Sequence, residues 1–556
     1  MNLKKIFNQF TWHAEESYNF SIPQTNNKQE NNYIPDNNLN ISKNVFSDLA
    51  SNLNYIKTRF NTLINSDIII REFKLSAKSK QYKAFLLFID GMVDSNLIND
   101  FILKPLMSKD STDKNDIISE SNQNNVTIRK VKKFDIEEYI SNCLLPQNNI
   151  KRQTEFDTII SDVTSGNCIL FIDTISSVFS IEVKGFKQRS VDVPNNEIII
   201  KGPQEAFVEN IRVNTSLLRR IVNTEKLIIE NISIGDITKT KCAICYIDNI
   251  TNDDLVAEVK YRMNNLEIDS LLSSGQLEQL IVDDNQLGIP EVLSTERPDK
   301  TAKYLLQGRV VVLVNGSPYS LIMPATLIDF LSSPEDTNLK PAFGNFLKTL
   351  RFISCIITLL LPGLYVAVTS FHQEILPTEL LYSILSTREI VPFPIIFEII
   401  IMEVSFELIR EAGLRVPSPI GPTIGIVGAL VLGQAAVSAN IVSPILIIIV
   451  AITGIASFAI PDFSFGFHLR FFRFVFILLG YVAGFLGISI GILVYLSILC
   501  NVRSFGIPFM IPFAPAINSK GNSFYIPPIW KQEYRATYLA PKKQKAQEHI
   551  SMKWKF

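Results

Sequence analysis

The sequence lacks the residue patterns of the common catalytic sites. Its four histidines (His13, His372, His468 and His549) are widely separated, and neither a phosphate-binding glycine loop nor an H-E-x-x-H motif occurs. No nucleophile is paired with a base, and no group of residues has the spacing of metal ligands. We therefore expect that the protein is not an enzyme and that it holds no cofactor or metal ion.

A large excess of charge and a disulfide framework are also absent. The formal net charge is −1, which offers no electrostatic basis for binding nucleic acid. The six cysteines are scattered, as is typical of reduced thiols. Cys242 and Cys245 form a C-x-x-C pair, but strand alternation would place them on opposite faces of a sheet. A structural role is therefore favoured over a zinc or redox site.

The N-terminus lacks the features of a signal peptide. The first 20 residues include two lysines but no apolar core of about 7–15 residues and no small-residue cleavage site. We therefore expect the hydrophilic part of the chain to remain on the cytoplasmic side. Residues 1–54, rich in asparagine from residue 24 onward, are predicted to be a flexible leader.

Apolar residues, by contrast, are concentrated in one part of the chain. About the first 340 residues have the composition of a soluble protein, whereas few charges interrupt residues 352–502. This asymmetry predicts a multi-domain membrane protein with a large hydrophilic head. The predicted domains are residues 55–150 and 151–345 in the head, a helical membrane domain at 346–517, and a basic tail at 518–556.

The head contains an internal repeat of strand, loop, strand, turn and helix. Residues 70–75 followed by 82–90 have the same ungapped spacing as residues 228–233 followed by 240–248. The apolar positions that predict a helix after each second strand are Leu97, Ile98 and Phe101 in one copy and Leu255, Val256 and Val259 in the other. The repeat predicts two α/β subdomains, with the aspartate that ends each second strand acting as a turn residue or helix cap rather than in catalysis.

An amphipathic helix is predicted between the two copies, at residues 202–222. Its charged residues are of both signs: Glu205, Glu209, Arg212, Arg219 and Arg220. Because acids are interleaved with the arginines, a solvated or inter-subdomain face is favoured over one that binds lipid headgroups.

The predicted membrane domain is all α-helical, with about five membrane segments. A spanning helix needs about 20 mostly apolar residues. Residues 352–371 supply one, residues 416–461 have room for two, and residues 474–502 supply a last, long one. Residues 390–412 are the fifth candidate, and they are ambiguous because they carry charge.

Three glutamates lie in this fifth candidate, where a charge at the bilayer centre costs about 2.5–3.5 kcal/mol. On a helix, Glu403, Glu407 and Arg410 share a face, whereas Glu398 lies about 140° around the helix from Glu403. The pattern fits three alternatives: a polar pathway through the membrane, a buried ion pair between helices, or a helix at the membrane interface. In the first alternative, Glu398, Glu403, Glu407 and Arg410 are the ion-path candidates.

Prolines and glycines punctuate the membrane domain. Pro392 and Pro394 precede the charged segment and Pro417, Pro419 and Pro422 follow it, which predicts boundaries where a helix could break or re-enter. Glycines four residues apart predict seams where helices or protomers pack closely. These are Gly421 with Gly425, Gly480 with Gly484, and Gly487 with Gly491.

Five segments leave one conflict in the topology. With the head inside, the acidic residues 372–389 lie outside and the basic residues 410–415 and 468–473 lie inside, as the positive-inside rule prefers. The basic tail at 531–555 would then lie outside. Either the proline-punctuated apolar residues 504–517 form a re-entrant or interfacial segment that resolves the conflict, or the tail violates the rule.

Residues 309–323 predict a β-hairpin with its turn at Asn315-Gly316. This turn, the preceding TERPDKTAKYLLQGR and the downstream TREIVPFPIIFEIIIMEVSFELIREAGLRVPSPIGPTIGIVGALVLG resemble the A subunit of the GerA family of spore germinant receptors. The resemblance runs from about residue 54 to about residue 515. Its signature turns are Asn315, Gly316, Pro392, Pro394, Pro417 and Pro419. Asn315 stands where the family pattern has aspartate, and residues 333–338 lack the tyrosine pair that the family often carries.

The resemblance implies a cytoplasmic head of two α/β subdomains and a helical domain in the inner membrane of the spore. It further implies assembly with a transporter-like B subunit and a lipoprotein C subunit, and a pore formed by self-association that conducts ions when nutrient binds and so triggers germination. The alternatives are a non-conducting scaffold, a germination-amplifying paralogue, or a secondary transporter, which predicts an inverted repeat that is not visible here.

Overall fold

The computed structural model of the protein describes residues 20–22, 43–77, 80–108, 136–185, 194, 197–283, 288–415, 433–517 and 524–547. Most of the predicted leader and the end of the tail lie outside these residues. So do five predicted membrane-domain residues: Pro417, Pro419, Gly421, Pro422 and Gly425.

The first subdomain is built on a five-stranded sheet. Its strands are β1 (Ile68–Ala77), β2 (Lys80–Ile89), β3 (Ile150–Gln153), β4 (Asn167–Ile172) and β5 (Val178–Glu182). They lie in the order β1-β2-β4-β5-β3, and every neighbouring pair is antiparallel. Side chains along β2 alternate between two cores, so helices cover both faces. Helices Leu49–Arg59 and Phe156–Thr164 cover one face, and the helical segments at 95–107 and 136–144 cover the other.

The second subdomain repeats this sheet. Its strands are β6 (Leu227–Ile234), β7 (Thr240–Ile247), β8 (Leu293–Thr295), β9 (Val310–Val314) and β10 (Ser320–Met323). Their order, β6-β7-β9-β10-β8, is equivalent to that of the first sheet. The longer helices here are Ile211–Ile221, Asp253–Asn264, Ser274–Ile281 and Pro298–Gln307. The strand pairs β1/β2 and β6/β7 are the ones that the internal repeat predicts.

The two cysteines of the C-x-x-C pair lie on opposite faces of β7, as strand alternation predicts. Both are buried, and they belong to different apolar cores. Burial raises the pKa of each thiol to about 12. Because they lie on opposite faces of the strand, the two thiols cannot bind one metal ion together or form a disulfide with each other.

The helix of the first copy differs from its prediction at Phe101. In the second copy Leu255, Val256 and Val259 are all buried in the helix Asp253–Asn264. In the first copy a π-helical turn at Asn99–Leu103 interrupts the helix. This wider turn changes the angular position of the residues that follow. Ile102 is consequently buried, and Phe101 is 46% exposed.

The predicted helix at 202–222 begins only at Ile211, so its predicted start is wrong. Asn210 caps the helix by accepting from the backbone N–H of Arg212. The β9–β10 turn also reaches this end: Asn315 Oδ1 accepts from the Ile211 N–H at 3.3 Å, and the Gly316 N–H donates to the Glu209 carbonyl at 2.7 Å. Because Asn315 acts through its side-chain oxygen, an aspartate could make the same bond.

The helix Ile211–Ile221 joins the two subdomains. Arg219 is buried and donates to both carboxylate oxygens of Asp67, each at 2.8 Å. Asn65 also binds Arg219, at 3.0 Å, and accepts from the Ile229 N–H of β6 at 3.1 Å. Arg212 pairs with Asp90 of the first subdomain nearer the surface. The arginine face is therefore an inter-subdomain face, one of the two alternatives that the sequence favours.

Among the described residues, two helices are long and apolar enough to cross a membrane: Pro341–Phe371 and Phe463–Asn501. The apolar helix Pro444–Phe458 is shorter, with 15 residues. The helix Ile395–Arg415, called the acidic helix below, carries four glutamates. Helix Thr378–Glu389 precedes it, and residues 433–438 are also helical. The membrane domain is thus helical where it is described, and the count of five spans stays a prediction.

The helix Phe463–Asn501 folds back on itself at Ala483 and Gly484, whose backbone angles are not helical. Gly484 has φ +56°, a conformation that glycine adopts without strain. The two halves pack side by side, with the ring nitrogen of His468 3.1 Å from the Tyr495 hydroxyl. This pair of helices is called the hairpin below. The predicted long segment 474–502 therefore contains the turn of the hairpin rather than one straight span.

Both ends of the hairpin lie at the head. The Phe330 ring of the second subdomain is 5.8 Å from Phe465, near the start of the hairpin, and 5.8 Å from Phe509, just after its end. The turn at Gly484 lies instead beside Phe371 and His372, where the helix Pro341–Phe371 ends. The hairpin thus extends away from the head and returns to it.

The segment after the hairpin packs into the head. Phe505, Ile507 and Ile511 are buried in the core of the second subdomain. Further on, Arg535 donates to the Leu306 carbonyl at 2.7 Å, and the Lys542 N–H donates to the Ile250 carbonyl at 2.9 Å. Residues 504–517 are therefore part of the head, and the described part of the tail, 524–547, packs against the head.

Replacing Arg219 with leucine should weaken the joint between the subdomains by about 3–5 kcal/mol, because Asp67 would be left buried without its partner. The matched change Arg212→Leu should cost less than about 1 kcal/mol, since its pair with Asp90 is near the surface. Native-state hydrogen exchange at residues 65–67 and β6 measures both opening free energies. Equal losses in the two variants would show that the buried pair does not hold the joint.

Single cysteines should reveal the shared side of head and tail. In a chain whose natural cysteines are replaced by serine, Lys80→Cys in the head and Gln544→Cys in the tail should react with a membrane-impermeant maleimide from the same side of sealed vesicles. Glu379→Cys, beyond the end of helix Pro341–Phe371, should react from the opposite side. Labelling of Gln544→Cys together with Glu379→Cys would contradict the placement of the tail.

Candidate functional site

The acidic helix begins just after Pro394, whose carbonyl accepts from the backbone N–H groups of Phe397 and Glu398. Pro392 and Pro394 therefore precede the helix, as predicted. The helix contacts the hairpin and the helix Pro444–Phe458. Its exposed apolar side chains, Phe397, Ile401, Val404 and Leu408, are three or four residues apart and form one face. The glutamates of interest lie on the side that faces the protein.

Glu403 pairs with Arg473 of the hairpin. The distance between Glu403 Oε2 and Arg473 Nη2 is 2.8 Å, and both side chains are 0% exposed. The same Arg473 Nη2 donates to Glu407 Oε1 at 3.1 Å. One guanidinium therefore holds two carboxylates that are one helical turn apart, and it fixes the acidic helix against the hairpin.

Two further arginines surround Glu407. Arg470 Nε lies 3.4 Å from Glu407 Oε1, and Arg410 Nη1 lies 3.6 Å from the same oxygen. Arg410 also donates to Ser457 Oγ and lies over the Phe458 ring, 4.5 Å from its centroid. The ion cluster comprises Glu403, Glu407, Arg410, Arg470 and Arg473.

The ion cluster is not fully satisfied within the described residues. Three arginines face two glutamates, which leaves one positive charge in excess. Seven polar atoms in it are buried without a hydrogen bond: both carboxylate oxygens of Glu403, Nε and Nη1 of Arg410, Nε of Arg470, and Nε and Nη1 of Arg473. A buried, partly satisfied network costs free energy that packing elsewhere must offset.

Glu398 lies outside this cluster. It is buried and accepts from the Ser443 N–H at 3.2 Å, at the start of helix Pro444–Phe458. Its nearest cation is Arg388, with Nε 3.8 Å from Glu398 Oε1. The structure thus brings Glu403, Glu407 and Arg410 together and separates Glu398 from them, as their angles around a helix predict.

The described glycines of the predicted seams lie between helices of the same chain. A Cβ on Gly480 would come within 2.5 Å of the Gly363 carbonyl oxygen in helix Pro341–Phe371. One on Gly487 would lie 2.3 Å from the Leu479 carbonyl oxygen, and one on Gly491 would lie 2.6 Å from the Leu479 side chain. Gly484 instead forms the turn of the hairpin.

Arg470 and Arg473 were not predicted as partners of the glutamates. The last membrane segment was predicted to begin at residue 474, with residues 468–473 in a basic loop, whereas the helix begins at Phe463. A signal was present, because Arg470 and Arg473 are three residues apart and share a face of any helix that contains both. Among the described residues, no group of three or more His, Cys, Asp or Glu side chains could hold a metal ion.

Comparisons with known proteins match most of the chain to spore germination proteins. The family model described as Bacillus/Clostridium GerA spore germination protein matches residues 54–538. Spore germination protein KA of Bacillus subtilis (strain 168) is 38% identical over 493 residues, which cover 88% of this chain and 86% of that protein. Spore germination protein GerLA of Bacillus cereus is 35% identical over 469 residues, which cover 84% of this chain and 89% of that protein.

Among solved structures, one similar chain is the N-terminal domain of the A subunit of the Bacillus megaterium spore germinant receptor GerK3. It is 32% identical to this chain, with a TM-score of 0.39, and the match covers 51% of this chain and 97% of that one.

Replacing Arg473 with methionine should destabilise the membrane domain by about 3–5 kcal/mol, because Glu403 would remain buried without a partner. The double variant Glu403→Leu/Arg473→Met should recover most of this loss, since apolar groups of similar volume can replace a buried pair. The exposed Glu411→Gln change on the same helix should cost less than about 0.5 kcal/mol. Unfolding of the full chain in a titration with denaturing detergent measures all three. A double variant as unstable as Arg473→Met alone would contradict direct pairing.

Proposed function

The chain belongs to the GerA family of spore germination proteins, as a germinant-receptor A subunit, and from this premise we propose that its membrane domain oligomerises to form a nutrient-gated, ion-conducting pore. The family places the chain in spore germination. The pore and its gating are the proposal. Neither spore germination protein KA nor GerLA is named as an enzyme, which fits a receptor subunit.

The observation that carries the proposal is the ion cluster. Ionisable residues inside a membrane domain are rare, face the protein interior, and often mark a path for ions. Here Glu403 and Glu407 sit between the acidic helix and the hairpin, next to guanidinium groups with unused donors. We propose that opening of the pore rearranges these pairs and exposes the carboxylates to the path.

Direct contacts between head and membrane helices support gating through the head. Apolar residues of the second subdomain and of the hairpin belong to one continuous core. Arg351 in helix Pro341–Phe371 binds Asp336 of the preceding segment at 2.6 Å. Arg309 pairs with Asp329 at 2.8 Å in the neighbouring part of the head. Through these contacts, a movement of the head would be transmitted to the hairpin.

The carboxylate of Asp329 stays charged in this buried position. Burial alone would raise the pKa of Asp329, but Arg309 and Thr326 outweigh burial and hold that pKa below its usual value.

We further propose that the subunit works in the inner membrane of the spore as a multi-pass protein, with its head facing the core. Its proposed partners are a transporter-like B subunit and a lipoprotein C subunit, in addition to copies of itself. The arrangement of charge supports this orientation, since the basic tail lies on the side of the head, and basic segments favour the cytoplasmic side.

One observation favours a different role, a non-conducting scaffold that relays a signal. Both carboxylates of the ion cluster contact Arg473, and a carboxylate bound by a guanidinium is not free to coordinate a passing cation. In that case the cluster would only hold the acidic helix in place. A germination-amplifying paralogue would share the same architecture.

Spores that carry Glu403→Gln or Glu407→Gln should release ions at least about tenfold more slowly after nutrient is added, because the path would lose a charge while each side chain keeps its shape. Glu411→Gln, on the same helix but exposed, is the matched control and should leave release unchanged. Ion release is followed with an ion-selective dye, and assembly is checked by the amount of subunit in spore membranes.

Two results would contradict the proposal. Normal ion release from assembled Glu403→Gln and Glu407→Gln spores would show that the cluster is not the conduction path. Full conductance of liposomes that contain the other receptor subunits but not this chain would instead support the scaffold.

A further inference from the structure

A cavity of about 200 Å³ lies at the base of the head, between helix Pro298–Gln307 and the segment that leads into helix Pro341–Phe371. It is called the basal cavity below. The side chains that matter here are Asp299, Lys300, Lys303, Ser333 and Asn338. None of them belongs to the ion cluster.

Most charges around the basal cavity are already paired. Lys300 binds Glu197, with Nζ 2.5 Å from Oε1. The carboxylate of Asp299 is held by Arg297, whose Nη2 lies 3.0 Å from Oδ2. These two pairs cancel, so neither attracts a charged ligand strongly.

Lys303 is different, because its ammonium makes no ion pair or hydrogen bond with the residues that the structure describes. The two carboxylates that attract its charge are each bound by an arginine: Asp329 by Arg309 and Asp336 by Arg351. Burial lowers the pKa of Lys303, and these two carboxylates offset that only in part. The cavity thus holds one cation in excess, partly removed from water.

The cavity also offers neutral donors. Asn338 uses one of its two amide N–H bonds on the Lys201 carbonyl, at 3.0 Å, and keeps the other. The Ser333 hydroxyl accepts from the Glu335 N–H at 3.4 Å, which leaves its own O–H to donate. An ammonium with two neutral donors beside it suits an anion with several acceptor oxygens.

The basal cavity is close to the membrane boundary. Asn338 precedes helix Pro341–Phe371 by a few residues, and Phe343 and Phe346 on the first turns of that helix are exposed. A helix rises about 1.5 Å per residue, so these aromatic side chains lie within about 10 Å of the helix start. Because this helix is long and apolar enough to cross a membrane, the phosphates of the adjoining leaflet would lie near its first turns.

We propose that the basal cavity binds a phosphate group, with Lys303 as its ionic contact and Ser333 and Asn338 as hydrogen-bond donors. The phosphate belongs either to a phospholipid headgroup in the adjoining leaflet or to a soluble phosphate. In both cases the anion neutralises Lys303 at the point where the head meets its first membrane helix. The inference does not depend on whether the subunit conducts ions.

Protection of Lys303 from acetylation tests the proposal in the unaltered full-length chain. Trace labelling with acetic anhydride is followed by mass spectrometry, and each value is divided by that of the exposed Lys340, which reports general shielding by a bilayer. In detergent, inorganic phosphate should protect Lys303 at least about tenfold relative to chloride at the same ionic strength if the ligand is soluble. Protection only in phosphatidylglycerol nanodiscs, in phosphate-free buffer, would identify the headgroup. No protection in either arm would overturn the proposal.

Variants give a second test by equilibrium dialysis with radiolabelled phosphate, or by lipid retention in native mass spectrometry where nanodiscs gave the protection. Lys303→Gln should weaken binding at least about tenfold, Lys303→Arg should retain it, and Lys340→Gln is the matched control. Equal binding by Lys303→Gln and the unaltered chain would also overturn the proposal. If Lys303→Gln does not fold, the protection experiment decides alone.

Discussion

A charge buried in an apolar helix needs a partner, and Glu403 of the acidic helix has Arg473 of the hairpin. Because both side chains are fully buried, the acidic helix and the hairpin cannot slide past each other without separating the pair. The other contacts of the hairpin follow from this position. Gly480 packs against Gly363 of the first long helix, and the ring nitrogen of His468 lies 3.1 Å from the Tyr495 hydroxyl.

Arginine–carboxylate pairs also occur at three other junctions between parts of the chain. Arg219 and Asp67 join the two subdomains, Arg309 and Asp329 join the second sheet to the segment below it, and Arg351 and Asp336 fix the start of the first long helix. A buried arginine–carboxylate pair adds little net stability, but breaking it is costly and its geometry is directional. Such pairs therefore define how the parts are oriented more than how strongly they are held.

Much of the head could be predicted because strands and helices are indicated by patterns of apolar residues within short stretches of sequence. Alternating apolar residues define β2 and β7, and Cys242 and Cys245 fall on opposite faces for the same reason. Phe101 was predicted incorrectly because a π-helical turn is not encoded by spacing alone. In the membrane domain, the shared face of Glu403 and Glu407 follows from helical periodicity. Their partner Arg473 could not be chosen from sequence, because it lies about seventy residues away and is selected by packing.

The return of the chain to the head after the hairpin imposes an order of assembly. Phe505, Ile507 and Leu539 fill the core of the second subdomain, yet the ribosome adds them after every described membrane helix. During synthesis the second sheet must therefore wait, with part of its apolar surface uncovered, until the membrane helices have been inserted. Without this returning segment, the apolar positions that Phe505, Ile507 and Leu539 occupy in the core would be open to water.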